Sequence, residues 1–439
     1  MELLNSIGLS IVAFAFVLGV MILVHELGHH LVAKFLGIRV EVFSIGFGKR
    51  LFGFKKGDTD YRISLLPLGG YVKMAGENYG EELTGSPDEF MSHSKSHRFA
   101  VAIAGPLMNV ALAFFLVVVS FLIGVPTYTY LTQPAVIGSI VPDSPAAEVD
   151  LQRQDTIISI DNKPTPTWQD VEILVSMSAN QELYLKIQRD NKLIQRYITP
   201  TSTKKTEVGT IGVTPFVAYT ISQVEPETPA AQAGLQAGDE ILKVVRGEQI
   251  STGFYESLET ISSSQGTPIL LEVRRKNQVF EKVITPTEID GRSRIGTMVN
   301  LVHLQKYGLL ESIRKSVERN YRLTTLTFSV LGRIISGKTS IRTLSGPIEI
   351  DRYSGKAAST GVIQLLSFMA FVSLQLGILN LMPIPILDGG IITLLALEGL
   401  MRRDISVNIK ERIFQVSFIL LMLLMAIVIF NDIAKTLPN

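Results

Sequence analysis

A run of almost uninterrupted apolar residues, 7–24, leads directly into the sequence His25-Glu26-Leu27-Gly28-His29-His30. On a helix, H-E-x-x-H places two imidazoles one turn apart on one face with a carboxylate beside them, which is the arrangement of zinc hydrolases. The run is long enough to span a bilayer, where ionisable side chains are costly and mark functional sites. The combination predicts metal-assisted hydrolysis inside a membrane.

Composition narrows both the class of protein and the kind of metal ligand. The chain has 439 residues, 46% of them hydrophobic, and a formal net charge of +1, so it has no basic excess with which to bind nucleic acid. It contains no cysteine, which leaves His and carboxylate side chains as the metal ligands. Residues 1–5 carry no positive charge and no small-residue cleavage site follows the apolar run, so we expect a retained helix and not a signal peptide.

Apolar stretches of spanning length occur at 7–35, 99–125, 361–382 and 413–430. The third ends in Pro383-Ile384-Pro385, which predicts a helix that breaks near its end. Lys and Arg are absent from residues 1–24, whereas the loop 34–98 carries ten and the connection between the last two stretches carries four. By the positive-inside rule both loops are cytoplasmic, so we expect the two termini and the middle segment in the periplasm and the active site toward the cytoplasmic side.

The middle segment is soluble in character and contains an internal repeat. Ser144-Pro145-Ala146-Ala147 recurs as Thr228-Pro229-Ala230-Ala231, and at the same offset Leu151, Asp155 and Ile157 match Leu235, Asp239 and Ile241. The pattern resembles a PDZ domain of the bacterial type. The second copy has the turn glycines Gly234 and Gly238 where the first has Asp150 and Gln154. The simpler alternative is two small β-rich domains that only pack on each other.

We therefore expect a polytopic α-helical membrane protein with four transmembrane helices, a membrane-associated β-hairpin or loop region and two inserted α+β PDZ domains. The helix at 306–338 has a basic face and is either an interfacial helix or an amphipathic connector. The predicted segments are transmembrane helix 1 (1–35), the cytoplasmic or membrane-dipping β-loop region (36–98), transmembrane helix 2 (99–125), PDZ domain 1 (126–215), PDZ domain 2 (216–303), the amphipathic helix (306–338), transmembrane helix 3 (360–390), a cytoplasmic connector (391–411) and transmembrane helix 4 (412–432).

A zinc hydrolase needs three protein ligands, an open position and a base. His25 and His29 supply two nitrogens, and Glu26 is placed to accept and return a proton. Asp388 is the candidate third ligand, because it is a lone carboxylate at the broken cytoplasmic end of an apolar helix. His30 points elsewhere around the helix, so we expect it to be structural or to support the site indirectly.

Four motifs, together with the inserted PDZ-like repeats, resemble the site-2 protease family of intramembrane metalloproteases. The motifs are residues 25–29, residues 66–74, Gly105-Pro106-Leu107-Met108-Asn109 and Asn380-Leu381-Met382-Pro383-Ile384-Pro385-Ile386-Leu387-Asp388-Gly389. The resemblance covers essentially the whole chain. It implies Zn²⁺ bound by His25, His29 and Asp388, with Glu26 as general base. It further implies a set of substrate-binding residues, namely Asn380, Asn109, Gly46, Phe47, Gly48, Gly69, Gly70 and Tyr71. From the residues alone, Asn109 is expected to pack helix against helix and not to contact substrate, and Asn380 is either a substrate contact or a hydrogen-bonding group at a helix end. Gln375 departs from the family pattern, in which Asn is usual, and receives no catalytic role.

The resemblance also implies an endopeptidase in a bacterial inner membrane that cleaves single-pass membrane proteins in regulated intramembrane proteolysis. The leading candidate substrate is an anti-sigma factor that has already lost its ectodomain. Its cleavage would switch on an envelope-stress response. Leftover signal peptides are further candidates. A transporter or channel that uses the same residues as a proton relay is one alternative, although four helices without an inverted repeat argue against it. A scaffold with a vestigial metal site is another.

Two roles are open for the PDZ pair. The domains either bind a new C-terminus, with Gly209-Thr210-Ile211-Gly212-Val213 as the candidate loop of the second domain, or act as a size filter that admits only trimmed substrates. The resemblance favours the filter.

Overall fold

The computed structural model describes residues 2–77, 84–202, 208–289, 292–337 and 345–436. The chain divides into two compact units. The first, Met1–Val125 with Lys306–Asn439, is mainly helical, and the second is Pro126–Gln305.

The helices of the described residues are numbered in chain order. They are α1 (Glu2–Phe35), α2 (Lys95–Ile123), α3 (Pro145–Glu148), α4 (Trp168–Ser176), α5 (Pro229–Gln232), α6 (Phe254–Ser262), α7 (Leu309–Ile335), α8 (Pro347–Thr360), α9 (Val362–Asn380), α10 (Asp388–Met401) and α11 (Val407–Thr436).

The strands of the described residues are β1 (Val40–Lys56), β2 (Thr59–Met74), β3 (Val125–Tyr128), β4 (Ile137–Ile140), β5 (Thr156–Ile160), β6 (Lys163–Pro164), β7 (Leu183–Arg189), β8 (Lys192–Ile198), β9 (Thr201–Ser202), β10 (Gly209–Thr210), β11 (Val213–Pro215), β12 (Tyr219–Val224), β13 (Glu240–Arg246), β14 (Gln249–Ser251), β15 (Ile269–Arg275), β16 (Gln278–Ile284), β17 (Thr287–Ile289), β18 (Arg292–Arg294), β19 (Thr297–Val299) and β20 (Val302–Gln305).

Four helices of the described residues are long and apolar enough to cross a membrane: Gly8–Phe35, Lys95–Ile123, Val362–Asn380 and Val407–Ala434. The prediction of a polytopic α-helical membrane protein is therefore confirmed. Helix α2 packs on both α1 and α9. Small residues allow these close approaches, because a side chain on Gly28 would meet Met108 Cγ at 2.8 Å and one on Gly377 would meet the Pro106 carbonyl oxygen at 3.0 Å.

The break in the third apolar stretch is sharper than the sequence indicates. Helix α9 ends at Asn380, and a separate helix, α10, begins at Asp388 within what was expected to be one helix followed by a connector. Helix α8 was not predicted, since its residues are mostly polar or small. The predicted amphipathic helix corresponds to α7, and residue 338 at its predicted end lies outside the described residues.

Strands β1 and β2 form a folded sheet beside α1. Residues 42–45 lie between residues 60–63 on one side and residues 70–73 on the other, with several register shifts. The sheet is fixed to α1 through His30, whose Nε2 lies 3.1 Å from the hydroxyl of Tyr61 and whose ring contacts Phe43 edge-on. Residues 70–73 consequently run past the helix turn that carries His25 and Glu26.

The two repeats of the second unit share their turn geometry. Gly234 and Gly238 have positive φ, at 74° and 91°, and the first repeat reaches the same left-handed conformation with Asp150 at 54° and Gln154 at 66°. Glycine is favoured in this region but not obligatory, and short polar side chains tolerate it best. The substitution of the turn glycines in the first copy therefore does not change the fold of the turn.

A buried carboxylate organises the same turn in each repeat. Asp155 accepts hydrogen bonds from Arg189, and Asp239 accepts them from Arg275 at 2.7 and 2.8 Å. Burial alone would raise the pKa of Asp239, but the hydrogen bonds from Arg275 and from the backbone N–H of Gln236 lower it overall. In each repeat, the Asp of the motif therefore forms an ion pair with an Arg of the sheet, and this pair holds the turn against the sheet.

The prediction that Gly209–Val213 is a loop of the second repeat is wrong, whereas the predicted range 126–215 of the first domain already includes these residues. Val213 pairs with Ile140 in the first repeat, and the Ile211 carbonyl accepts a hydrogen bond from Ala146 N at 2.9 Å. The corresponding bond in the second repeat joins Ala230 N to the Ile295 carbonyl at 2.8 Å. Each repeat is closed by a strand that follows its sheet in sequence and returns to its start.

Candidate metal centre

Three predicted metal ligands converge in the first unit. His25 and His29 lie one turn apart on α1 and are almost fully buried, and their Nε2 atoms are 3.2 Å apart. Asp388 Oδ2 lies 3.1 Å from His25 Nε2, and Asp388 Oδ1 lies 3.5 Å from His29 Nε2. One donor atom from each residue lies within 4.8 Å of the others. Residues separated by more than 350 positions in sequence therefore form one cluster.

The turn between α9 and α10 delivers Asp388. The sequence Pro383-Ile384-Pro385 occupies this turn, and proline cannot continue a regular helix. Asp388 is the first residue of α10, where the helix dipole stabilises a negative charge. Gly389 and Gly390 pack directly on the preceding turn, where an added Cβ would overlap the backbone of 381–385. The Asp-Gly-Gly sequence thus begins α10 in close contact with the preceding turn, where there is no room for larger side chains.

One stripe of α2 supports both histidines. The Val101 carbonyl oxygen lies 2.8 Å from His29 Nδ1, and the Asn109 side-chain nitrogen lies 3.3 Å from His25 Nδ1. Gly105 lies between them, at four-residue spacing, and its Cα is so close that a Cβ would be 2.9 Å from His25 Cε1. Contacts at both Nδ1 atoms leave both Nε2 atoms directed toward Asp388.

Glu26 lies beside the cluster and is held by the sheet. Its Oε2 accepts a hydrogen bond of 3.1 Å from the backbone N–H of Val72. Gly70 is the neighbouring contact on the strand, because an added Cβ there would lie 3.5 Å from Glu26 Cγ. The carboxylate is therefore placed between the metal ligands and residues 70–72.

Two cavities meet at the cluster. The first, of about 210 Å³, contains the three ligands and Glu26 in its wall together with Tyr71, Val72, Met74, Glu77, Phe90, Val101, Ala102 and Ile391. The second, of about 250 Å³, is bounded by Ile22, His25, Glu26, Asn109, Leu376, Asn380, Ile386, Leu387 and Asp388. Glu26 lines both cavities, so a reacting group can reach it from either side.

Some of the predicted substrate-binding residues lie at the site and others do not. Asn380 lines the second cavity, Tyr71 lines the first, and Gly70 contacts Glu26. Phe47 stacks on Tyr71 with ring centroids 5.9 Å apart, and Gly69 packs against the Phe47 ring.

Gly46 and Gly48 stand apart from these residues. Both have positive φ, and neither is among the residues of the two cavity walls. Both lie within β1, where the pairing register with β2 shifts between Ile45 and Arg50. Gln375, which received no catalytic role, exchanges a hydrogen bond with Thr327 of α7.

Two residues at the site were not identified from the sequence. Val101 contributes only a backbone carbonyl, for which no side-chain signal exists. Glu77 lies in the wall of the first cavity, and burial raises its pKa. It follows the motif 66–74 by three residues, and this proximity was the only available indication.

The donor set fits zinc. Two imidazole nitrogens and one carboxylate form a three-ligand set that leaves a position open, as in hydrolytic zinc sites. His29 Nδ1 has a backbone carbonyl as its acceptor, which is the usual outer partner of a metal-bound imidazole. Within the part of the chain that the structure describes, the side-chain oxygen of Asn109 is buried next to His25 without a hydrogen-bond partner.

Comparison with known proteins identifies the family. The profile of Peptidase family M50 matches residues 13–424. The Regulator of sigma E protease of Haemophilus influenzae is 35% identical over 99% of this chain and 100% of its own length. The Regulator of sigma-E protease RseP of Escherichia coli K12 is 33% identical over 97% of this chain and 98% of its own length. The chain therefore belongs to Peptidase family M50, the site-2 protease family, and is a zinc metalloendopeptidase.

Proposed function

We propose that the protein hydrolyses peptide bonds within the membrane-spanning segments of single-pass membrane proteins. The observation that carries the proposal is the convergence of His25, His29 and Asp388 beside Glu26, at the end of an apolar helix long enough to span a bilayer. His25, His29 and Asp388 would hold the zinc ion, which as a Lewis acid polarises the scissile carbonyl and activates water.

Glu26 performs the proton transfers. Its carboxylate takes a proton from the attacking water and donates it to the leaving amine nitrogen, as general base and then general acid. The hydrogen bond from Val72 N to Oε2 fixes the carboxylate, so Oε1 is the oxygen available to the proton. His25 and His29 remain neutral in this scheme because their Nε2 lone pairs are used for the metal.

The strand at 70–73 is the proposed docking edge for the substrate. A helical substrate has its backbone groups paired internally, so it must unwind before its peptide bond can be attacked. Residues 70–73 pair with residues 42–45 on one side, and an extended substrate added on the other side would satisfy its own freed backbone groups. Asn380, in the wall of the second cavity, is placed to hold that segment or its reacting carbonyl.

The names of the similar proteins support a substrate class. Proteins named regulators of sigma-E protease are similar over nearly the whole chain, which supports a role in a sigma-E envelope-stress response. We propose an anti-sigma factor with a trimmed ectodomain as the substrate, with remnant signal peptides as a second class. The distribution of Lys and Arg supports an inner-membrane orientation with both termini and the repeats in the periplasm.

The two repeats are proposed to be PDZ domains that act as a periplasmic size filter. Each has its own hydrophobic core. A variant lacking residues 126–300 should cleave an untrimmed anti-sigma factor that the full chain leaves intact. Unchanged selectivity in that variant would contradict the filter.

The substitution Glu26→Gln tests the catalytic assignment. It removes the base but keeps the size of the side chain, so we expect zinc to be retained while cleavage of a membrane-embedded reporter falls by at least about 100-fold. His25→Ala and Asp388→Ala should lose both zinc and cleavage. Glu41→Gln is the matched control, because Glu41 is a partly exposed partner of Lys73 outside both cavity walls. Substantial cleavage by Glu26→Gln would contradict the assignment.

A further inference from the structure

We propose that Asn109 is a positioning residue for the metal ligand His25: its side-chain oxygen accepts a hydrogen bond from His25 Nδ1–H and thereby commits Nε2 to the metal. The inference rests on the ligand set of the proposed function. It replaces the expected contact of Asn109 with substrate by a contact with a ligand.

The position of Asn109 favours this role. Its relative exposure is 0%, and its amide lies 3.3 Å from His25 Nδ1. The opposite ring nitrogen, Nε2, faces Asp388 Oδ2 at 3.1 Å and His29 Nε2 at 3.2 Å. The imidazole of His25 therefore has Asn109 on one side and the ligand cluster on the other.

The chemistry of imidazole decides which amide atom faces the ring. A neutral imidazole has one N–H donor and one lone-pair acceptor, so a ring that uses the Nε2 lone pair for a metal carries its hydrogen on Nδ1. An amide NH₂ group cannot accept that hydrogen. As the amide is placed, Nδ2 faces His25, and Oδ1 is buried without a hydrogen-bond partner among the described residues.

A half-turn of the amide resolves the mismatch. The oxygen and nitrogen of an Asn side chain are distinguished only by their hydrogen-bond network, so the orientation is chosen by the partners. With Oδ1 toward His25, a donor meets an acceptor. In the original orientation Oδ1 is a buried carbonyl oxygen without a donor among the described residues, which is unfavourable. No hydrogen bond to Oδ1 therefore opposes the half-turn of the amide.

The neighbouring ligand shows the same arrangement. His29 Nδ1 lies 2.8 Å from the Val101 carbonyl, which can only accept. Val101 and Asn109 are eight residues apart on α2, and hence on the same face two turns apart. This face of α2 provides an acceptor for each histidine, one from the backbone and one from a side chain.

A contact from α9 holds Asn109 in place. The hydroxyl of Ser373 donates a hydrogen bond of 2.7 Å to the backbone carbonyl oxygen of Asn109. Gly377, one turn further along α9, lies close to the same residue, because an added Cβ would be 3.5 Å from Asn109 Cβ. Helix α9 thus fixes the backbone of α2 at Asn109, the point from which the side chain reaches His25.

The test measures zinc affinity of the full-length protein in detergent by competition with a chromophoric chelator. Asn109→Leu keeps the approximate volume but removes the acceptor, so we expect zinc to bind about 10- to 100-fold more weakly. Asn109→Asp keeps an acceptor oxygen and should bind zinc at least as tightly as the native protein. This second variant keeps the test decisive if Asn109→Leu does not fold.

The control is Asn320→Leu. Asn320 is a buried Asn whose amide bonds to Ser316 on α7, and it contributes to neither cavity wall. We expect the Asn320→Leu variant to bind zinc with the affinity of the native protein.

Three outcomes would overturn the inference. The first is native zinc affinity in Asn109→Leu. The second is equal weakening by Asn109→Leu and Asn109→Asp, which would indicate packing alone. The third is a raised KM in Asn109→Leu with zinc affinity unchanged, which would indicate substrate contact. Retention of zinc by His25→Ala would instead refute the ligand set itself, so the two failures are distinguishable.

Discussion

Gly105 is the position where the smallest possible change should disable the metal centre. An added Cβ would be closest to His29 Nε2, and it would lie 2.6 Å from His29 Cε1 and 2.9 Å from His25 Cε1. Carbon atoms in contact are about 3.5 Å apart at least, so the His29 ring must retreat by about 0.9 Å. Metal–ligand distances vary by only about 0.2 Å around their ordinary values. The displacement is therefore about four times the tolerance of the site.

We expect Gly105→Ala to weaken zinc binding by more than the roughly 10- to 100-fold that follows loss of an outer hydrogen bond. The overpacked helix interface should also lower the free energy of unfolding by about 1–3 kcal/mol. Zinc content after dialysis against a chelator, thermal unfolding in detergent and reporter cleavage measure these effects. Gly19→Ala is the control on α1, because no atom of residues 2–77, 84–202, 208–289, 292–337 or 345–436 lies within 4 Å of an added Cβ there. Native zinc affinity in Gly105→Ala would refute the reasoning.

The remaining predictions concern stability. Glu398 and Lys410 form a buried ion pair of 2.6 Å, so Glu398→Ala should lower the free energy of unfolding by about 3–5 kcal/mol, whereas replacing both residues by Met should restore most of it. Denaturant unfolding of both variants checks this, and equal destabilisation would contradict it. The lowered pKa of Asp239 beside Arg275 means that its stabilisation is present above the unfolded pKa of about 3.9 and is lost as pH falls through the folded value. The difference in unfolding free energy between the native protein and Asp239→Asn should therefore shrink below about pH 4, and a constant difference would contradict this.

The candidate site was predictable where its chemistry is local in sequence; the structure brings His25, His29 and Asp388 together, and their roles remain a proposal. The helical spacing of His25, Glu26 and His29 indicates a metal site, and Asp388 is identifiable as a carboxylate at the end of a broken apolar helix. The outer partners were not predictable, since Val101 acts through a backbone carbonyl whose importance depends on how α1 and α2 pack.

The fold was predictable to the same extent. Apolar length predicts the four spanning helices, but α8 and α10 have no such signal, and α10 begins inside a segment whose hydropathy continues that of α9. The repeat is visible as residue identities, and the bounds 126–215 place residues 209–213 in the first copy. Their pairing with residues 137–140 is non-local, and for this reason the sequence does not show that this loop serves the first copy and not the second. The motif predicts Gly46 and Gly48 as substrate-binding residues; they lie in β1 outside both cavity walls, and their contact with substrate stays a prediction.

The most direct test is X-ray absorption at the zinc edge on the active full-length protein and on Asp388→Ala. We predict about one zinc per native chain, coordinated by two imidazole nitrogens at about 2.0–2.1 Å and by carboxylate or water oxygen at about 2.0–2.2 Å, with no sulfur. Asp388→Ala should lose the metal. An active native protein without zinc, or an unchanged zinc shell in Asp388→Ala, would contradict a metal centre built from His25, His29 and Asp388.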